Sequence, residues 1–220
     1  MSKPPILVAD DHPLFRAALV GALAGVRPDA RPVEADCFHA LDVAAAENPD
    51  AELALLDLNM PGARGFSSLV FMRAQYPAIP VIVVSASEDA NTVRRARDFG
   101  AAGFIPKSSP MKTITEAIAA VNAGDEWFPP SLNESDDHSG AELSERLSTL
   151  TPQQFRVLLM LADGKLNKQI AYDLNVSEAT VKAHMTAILR KLGIYSRTQA
   201  ALIAQQLEVG PERVGDDDVA

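Results

Sequence analysis

Three acids, a hydroxyl and an ammonium, Asp10, Asp11, Asp57, Ser85 and Lys107, each stand at or just past the end of a short apolar run. ILVA precedes Asp10, LALL precedes Asp57, VIVV precedes Ser85, and GFI comes shortly before Lys107. If those runs are parallel strands of one open sheet, their carboxyl ends meet along one edge, where such sheets build their sites. Three carboxylates brought together repel unless a cation joins them, and hard oxygen ligands of this kind suit Mg²⁺. Taken singly, each residue has a plainer use. An Asp-Asp pair ahead of a helix can cap it, Ser85 can start a turn, and Lys107 can be a surface lysine. Their occurrence together, in this order at successive strand ends, points to a site.

The elements that must position them are legible as alternating patterns. Apolar runs at 6–9, 33–35, 53–56, 81–84 and 103–105 alternate with helical periodicity at 14–23, 39–46, 67–74, 90–99 and 111–121. Five such βα units predict an α/β fold, a doubly wound five-stranded parallel sheet with helices on both faces. The strands are apolar almost throughout, as burial on both faces requires. The pattern changes at Pro129-Pro130. Residues 129–149 are polar and acidic, and they predict a flexible linker. Beyond them, helical stretches at 152–161, 168–174, 178–192 and 198–207 predict a small all-α domain of four helices. The expected division is 1–128, linker 129–149, 150–208, and a disordered acidic tail at 209–220.

Composition narrows the classes further. The chain has 220 residues, comfortable for two domains, and 47% hydrophobic content, which argues against global disorder. Cys37 is the single cysteine, so neither an intrachain disulfide nor a cysteine zinc cluster can form. The opening apolar run is too short for a signal peptide, and no stretch approaches the roughly 18 apolar residues of a membrane span. These features predict a cytoplasmic protein without a membrane partner. The net charge of −9 is unevenly spread: −5 over 1–128, −4 over 129–149, +4 over 150–203 and −4 over 204–220. One basic segment in an acidic chain suggests a module that binds a polyanion.

That segment carries two helices joined by a tight turn, Asn175-Val176-Ser177. Val181, Met185, Ile188 and Leu192 recur at helical spacing and predict the buried face of the second helix. Thr180, Lys182, Ala183, Thr186 and Arg190 fall on its other side and are small or cationic. A helix entering the DNA major groove needs that combination of close approach and donors for phosphates and base edges. A plain helix hairpin with a solvated basic face would share this composition.

The motifs VADDHPLFRAAL, LLDLNMPGARG, VVSAS and GAAGFIPKS resemble the receiver domain of two-component response regulators, over essentially all of residues 5–125. The resemblance implies a flavodoxin-like receiver in which Asp57 is the phosphoacceptor, attacking a phosphohistidine on a sensor histidine kinase. Asp10 and Asp11 would hold Mg²⁺ with Asp57 and the backbone carbonyl of Asn59. Lys107 would pair with phosphoryl oxygens, and Ser85 would swing in to hydrogen-bond one of them. Phe104 stands where the family carries its aromatic switch residue, with the alternative that it is a core phenylalanine. Positive charge around an in-line nucleophile is what phosphoryl transfer requires.

Residues 150–200 are similar to the LuxR-type helix-turn-helix domain, so the whole chain resembles a NarL/FixJ-type response regulator. The resemblance implies that Lys182, Ala183 and Thr186 face bases and that Lys168 and Arg190 contact phosphates of promoter DNA. It implies a homodimer when phosphorylated or DNA-bound, often completed by the last helix, and it allows RNA polymerase as a further partner. Three departures stand out: Gln154 replaces the usual Glu, Leu166 the usual Ser or Thr, and Ala187 the common Asn. Leu166 forfeits an N-cap hydroxyl worth roughly 1 kcal/mol, and Asn167 is positioned to take over that cap.

Two other readings stay open from sequence. A receiver can serve as a ligand- or partner-binding module switched without phosphate; the full acid, Ser and Lys set argues against this, and the linker holds no Arg-rich ligand motif. An aspartyl phosphatase would want a second acid two residues after Asp57, where Asn59 stands. The expected protein is therefore a regulator and not a metabolic enzyme.

Overall fold

The computed structural model describes residues 3–130 and 139–208. The strands β1 (Pro5–Ala9), β2 (Arg31–Ala35), β3 (Leu53–Asp57), β4 (Val81–Ser85) and β5 (Gly103–Pro106) form one parallel sheet in the order β2-β1-β3-β4-β5. Its helices are α1 (Pro13–Val26), α2 (Phe38–Glu47), α3 (Ser67–Gln75), α4 (Ala90–Asp98) and α5 (Met111–Asn122). Strand alternation divides the core. Ile6, Val8, Leu53, Leu55, Ile82 and Val84 face α1 and α5, packing on Leu19, Leu23, Ile114 and Ile118. Leu7, Ala54, Leu56, Val81 and Val83 join the opposite layer with Phe38, Leu41, Val70, Phe71 and Val93. The period of two sends alternate residues to opposite faces, so both faces must be covered. Pro32 is tolerated because β2 lies at the sheet edge.

The C-terminal part contains α7 (Pro152–Ala162), α8 (Asn167–Asp173), α9 (Glu178–Leu192) and α10 (Arg197–Gln205). The expected flexible linker needs correction, because a helix, α6 (Ser139–Ser148), occupies its second half. Its physical reason is packing. Leu147 is buried and Leu143 partly so, one helical turn apart, and both join the core layer that contains Phe71 of α3. Residues 131–138 and the acidic tail 209–220 lie outside the described residues.

That layer continues from the sheet into the C-terminal helices without a break. The Phe71 ring is 5.9 Å from Phe155 of α7, and Ser67 to Met72 are all buried. With the sheet on one side and helices on the other, α3 has no solvated stripe. Polar links add to the contact. Gln75 Nε2 donates to the Leu150 carbonyl at 2.8 Å, Phe66 N–H donates to the Leu207 carbonyl at 2.7 Å, and Arg156 pairs with the buried Asp42 carboxylate of α2.

Candidate functional site: an acid cluster at the sheet edge and an exposed helix face

Parallel register brings the strand ends together. Ala9 pairs with Leu56, Asp57 with Val84, and Ser85 with Pro106, so Asp10, Asp57, Ser85 and Lys107 emerge along one edge. The same local device shapes three of the four turns. Asp10 Oδ1 accepts the His12 N–H at 2.8 Å, Asp57 Oδ1 the Asn59 N–H at 3.2 Å, and Ser85 Oγ the Ser87 N–H at 3.2 Å. Each side chain bonds the backbone two residues on, turning the chain at the strand end. The Asp-Asp pair does not cap α1. His12 is its N-cap, without a side-chain bond, and Pro13 opens the helix.

Lys107 Nζ lies 2.8 Å from both Asp57 Oδ2 and Asp10 Oδ2. Asp10 is fully buried, Asp57 is 1% exposed, and the Lys107 side chain is 16% exposed. Burial pushes the Asp57 carboxyl above the usual carboxylate range, and Asp10 adds to the shift against the opposing pull of Lys107. Burial pulls the Lys107 ammonium down, but its bonds and attraction to Asp10 and Asp57 outweigh that and leave it raised. Asp10, Asp11, His12 and Asp57 each offer a ligand atom within 4.8 Å of the others. Asp11 Oδ1 is buried and accepts no hydrogen bond, with His12 Nδ1 2.6 Å away. A carboxylate-rich pocket with an unsatisfied oxygen fits a hard divalent cation. His12 is the member that sequence reasoning missed; its place directly after the acid pair was the available signal.

The cluster opens into a cleft lined by His12, Leu14, Phe15, Ala18, Asp57, Asn59, Ala86 and Lys107. The Ser85 hydroxyl is buried and engaged with Ser87, and Phe104 is fully buried in the layer that contains Phe66 and Phe99. Both are withdrawn from solvent.

A stability consequence follows from the raised Asp57 carboxyl. In an unfolded chain an aspartate ionises near ~3.9. Between that value and the raised folded value the unfolded state sheds its proton first, so folding loses stability as pH rises and keeps the loss above the window. Asp57→Asn removes this liability. In chelator, its urea midpoint is expected to exceed wild type at neutral pH and to converge with it near ~4. A variant less stable than wild type at every pH would show that the Lys107 pair outweighs burial.

In the C-terminal part, Ser177 caps α9 by accepting the Thr180 N–H at 3.1 Å, and Gly193 ends the helix in the left-handed region at φ 66°. Asn175 makes the turn at φ 52°, a conformation asparagine tolerates. Val181, Ile188 and Leu192 are buried and Met185 half-buried. Lys168, Lys182, Ala183, Thr186 and Arg190 are exposed and Thr180 is half-buried. The sheet domain packs against α6 and α7 and bonds the residues just past α10, while this face of α9 stays exposed.

The departures resolve locally. Gln154 is buried, and its Oε1 accepts from Thr151 N–H at 3.1 Å and Lys191 Nζ at 2.9 Å, so a neutral oxygen meets that cation. Asn167 does not take over the α8 cap. Its Oδ1 accepts Arg197 Nη1 at 2.8 Å, while Gln169 Oε1 accepts the Leu166 N–H at 2.7 Å. Leu166 itself is exposed.

Comparison with known proteins agrees with this architecture. The family model "Response regulator receiver domain" matches residues 6–119, and "Bacterial regulatory proteins, luxR family" matches 148–204. A glycerol metabolism activator of Pseudomonas putida is 42% identical over 214 residues, covering 92% of this chain and 96% of that protein. The nitrate/nitrite response regulator protein NarP of Escherichia coli is 35% identical, covering 91% and 94%. Among solved structures, RcsB from Salmonella enterica serovar Typhimurium, bound to promoter rprA with the phosphomimetic BeF3⁻, aligns with a TM-score of 0.54 at 22% identity, covering 93% and 99%. No helix among the described residues is long and apolar enough to cross a membrane. With a receiver ahead of a luxR-type domain and full-length relatives at this identity, the chain belongs to the NarL/FixJ-type family of DNA-binding response regulators.

Proposed function

We propose that the chain takes a phosphoryl group onto Asp57 from the phosphohistidine of a sensor histidine kinase and thereby controls its own dimerisation on promoter DNA. The observation that carries this is Lys107 Nζ, 2.8 Å from both Asp57 and Asp10, beside an open cleft. An Asp57 carboxylate oxygen forms the new bond to phosphorus, and the bond from phosphorus to the kinase's imidazole nitrogen breaks. Lys107 stands where it can follow the phosphoryl oxygens, and the Ser85 hydroxyl can exchange its Ser87 bond for one to the phosphoryl group. Asp10, Asp11, Asp57 and the Asn59 carbonyl would hold Mg²⁺, which when bound supplies positive charge to the transferring oxygens. Phe104 then repacks in the core it shares with Phe66 and Phe99.

On the DNA side, Lys182, Ala183, Thr186 and Thr180 read the major groove, and Lys168 and Arg190 hold phosphates. The division into a receiver at 1–128 and a DNA-binding domain at 150–208 belongs to the same reading, as does a cytoplasmic location. Because the reading face is already exposed, phosphorylation acts on pairing of two copies rather than on uncovering α9. The relative named as an activator supports activation over repression, with RNA polymerase as the further partner.

Sedimentation and promoter binding, with Mg²⁺ and with or without beryllofluoride, test this beside Asp57→Ala. Wild type alone should dimerise and bind DNA more tightly with the mimic. Equal binding by both proteins, indifferent to the mimic, would leave the receiver as a docking module switched by a ligand or partner.

A further inference from the structure

Asp10 and Asp11 are held very differently. The Asp10 carboxylate is fixed twice, by the His12 N–H and by Lys107 Nζ. Asp11 is held more loosely: its buried Oδ1 accepts no hydrogen bond and is approached by His12 Nδ1 at 2.6 Å, on a side chain that is 69% exposed. The backbone just before Asp11 is the more firmly held part. Arg16, one turn into α1, donates from Nη1 to the Asp10 carbonyl at 2.7 Å and from Nε to Glu34 Oε2 at 2.9 Å. Glu34 lies near the end of β2, and the Arg16 side chain is only 18% exposed. The Asp10 N–H donates to the Ala35 carbonyl at 3.0 Å, so both sides of Asp10 are tied toward β2.

The Asp10 carbonyl and the Asp11 N–H belong to one rigid peptide plane. Rotation of that plane changes ψ of Asp10 and φ of Asp11, and swings the Asp11 side chain. We infer that Arg16 is a positioning residue that, by bonding the Asp10 carbonyl, aims the loosely held Asp11 carboxylate into the divalent-cation site. This rests on the reading that the acid cluster holds Mg²⁺. Divalent sites gain affinity from ligands placed in advance, and outer partners that orient a ligand commonly govern affinity ten- to a hundred-fold.

The inference runs against simple electrostatics, which makes it easy to overturn. Arg16 is a cation near a cation site, so charge alone predicts that its removal tightens Mg²⁺ binding. Positioning predicts weaker binding. The test is Mg²⁺ titration of the full chain by calorimetry, with amide NMR of residues 10–12 and 57–59, on wild type, Arg16→Ala, Arg16→Lys and Glu34→Gln. Arg16→Ala is expected to raise the Mg²⁺ dissociation constant about ten-fold and to shift the Asp11 amide in the metal-free protein. Arg16→Lys should recover part of the affinity, because one ammonium can still reach the Asp10 carbonyl. Glu34→Gln should stay near wild type, because a neutral oxygen still accepts from Nε. Unchanged or tighter binding by Arg16→Ala overturns the inference, as does weaker binding with general loss of the native amide pattern. If wild type itself binds no Mg²⁺, the metal reading of the cluster fails instead.

Discussion

Asp57→Asn is expected to take up no phosphoryl group from a small-molecule donor or a kinase, while Lys107→Ala keeps the nucleophile and loses rate. The two variants separate bond-making from charge stabilisation. An amide at position 57 has no anionic oxygen to attack phosphorus, so acceptance should fall below detection. Its shape is conserved, and the amide oxygen can still accept the Asn59 N–H, so the turn that Asp57 makes should survive. Lys107→Ala removes an ammonium 2.8 Å from Asp57 and an ordered ion pair with Asp10. Removal of one preorganised charge from such a site costs about 10²–10³ in rate. The remaining buried carboxylates also lose their counter-charge, so metal-free Lys107→Ala should be less stable than wild type, opposite in sign to Asp57→Asn. Phosphate-affinity electrophoresis after incubation with acetyl phosphate and Mg²⁺ gives acceptance, and urea unfolding in chelator gives stability. A phosphorylated Asp57→Asn would move the acceptor elsewhere. A Lys107→Ala as fast as wild type would remove Lys107 from the reaction.

Much of this arrangement could be read before the fold was known, because it rests on short-range rules. The strand pattern and its carboxyl-end residues specify the sheet edge, and parallel register then has little freedom in where it places Asp10, Asp57, Ser85 and Lys107. The turn at 175–177 and the Val181, Ile188, Leu192 stripe likewise announce a helix pair. What escaped is non-local. Helix α6 looked like linker because its composition is polar; only Leu143 and Leu147, four apart, hinted at a face, and the surface they need is made by α3. Asn167 looked like a cap because the rule is local, but Arg197, thirty residues away, engages its oxygen. The pairing of Asp42 with Arg156, and of Arg95 with the end of α10, joins residues that share no pattern in the chain.

Arg95→Ala is expected to shift the equilibrium between the packed and separated domains by about 2–4 kcal/mol, roughly 30- to 700-fold, toward separation. Arg95 lies on α4, with its guanidinium 4.6 Å from the centre of the Phe66 ring and 5.7 Å from that of Phe99. Nη1 donates to the Glu208 carbonyl at 2.9 Å, and Nη2 donates to the Gln206 carbonyl. These are the carbonyls just past α10, where the negative end of the helix dipole favours a cation. Burial pulls the guanidinium below its ordinary value against the charges of Asp89 and Asp98, yet arginine stays charged at any working pH. A desolvated cation bonded to two carbonyls and covered by two rings is held in a way that an exposed pair is not. Arg64 provides the contrast: more than half exposed, it bridges Asp163 at 3.1 Å and Glu208 at 3.4 Å, and its alanine variant should cost at most about 1 kcal/mol. Small-angle scattering would report the separation, and hydrogen exchange at Phe66, whose N–H bonds the Leu207 carbonyl, would report the local opening. Arg95→Ala should enlarge the radius of gyration and speed Phe66 exchange while Arg64→Ala does neither. Phe104 shares a core with Phe66 and Phe99, the two rings that hold Arg95, so the proposed repacking of Phe104 would loosen the grip on the end of α10. Because the α9 face proposed to read DNA is exposed in the packed form, freeing α10 should raise DNA affinity chiefly by permitting two copies to pair. Arg95→Ala should therefore bind a two-half-site promoter more tightly than wild type without any phosphoryl mimic, and a single half-site about equally. Equal gains on both DNAs would mean that the packed form was hindering α9 after all.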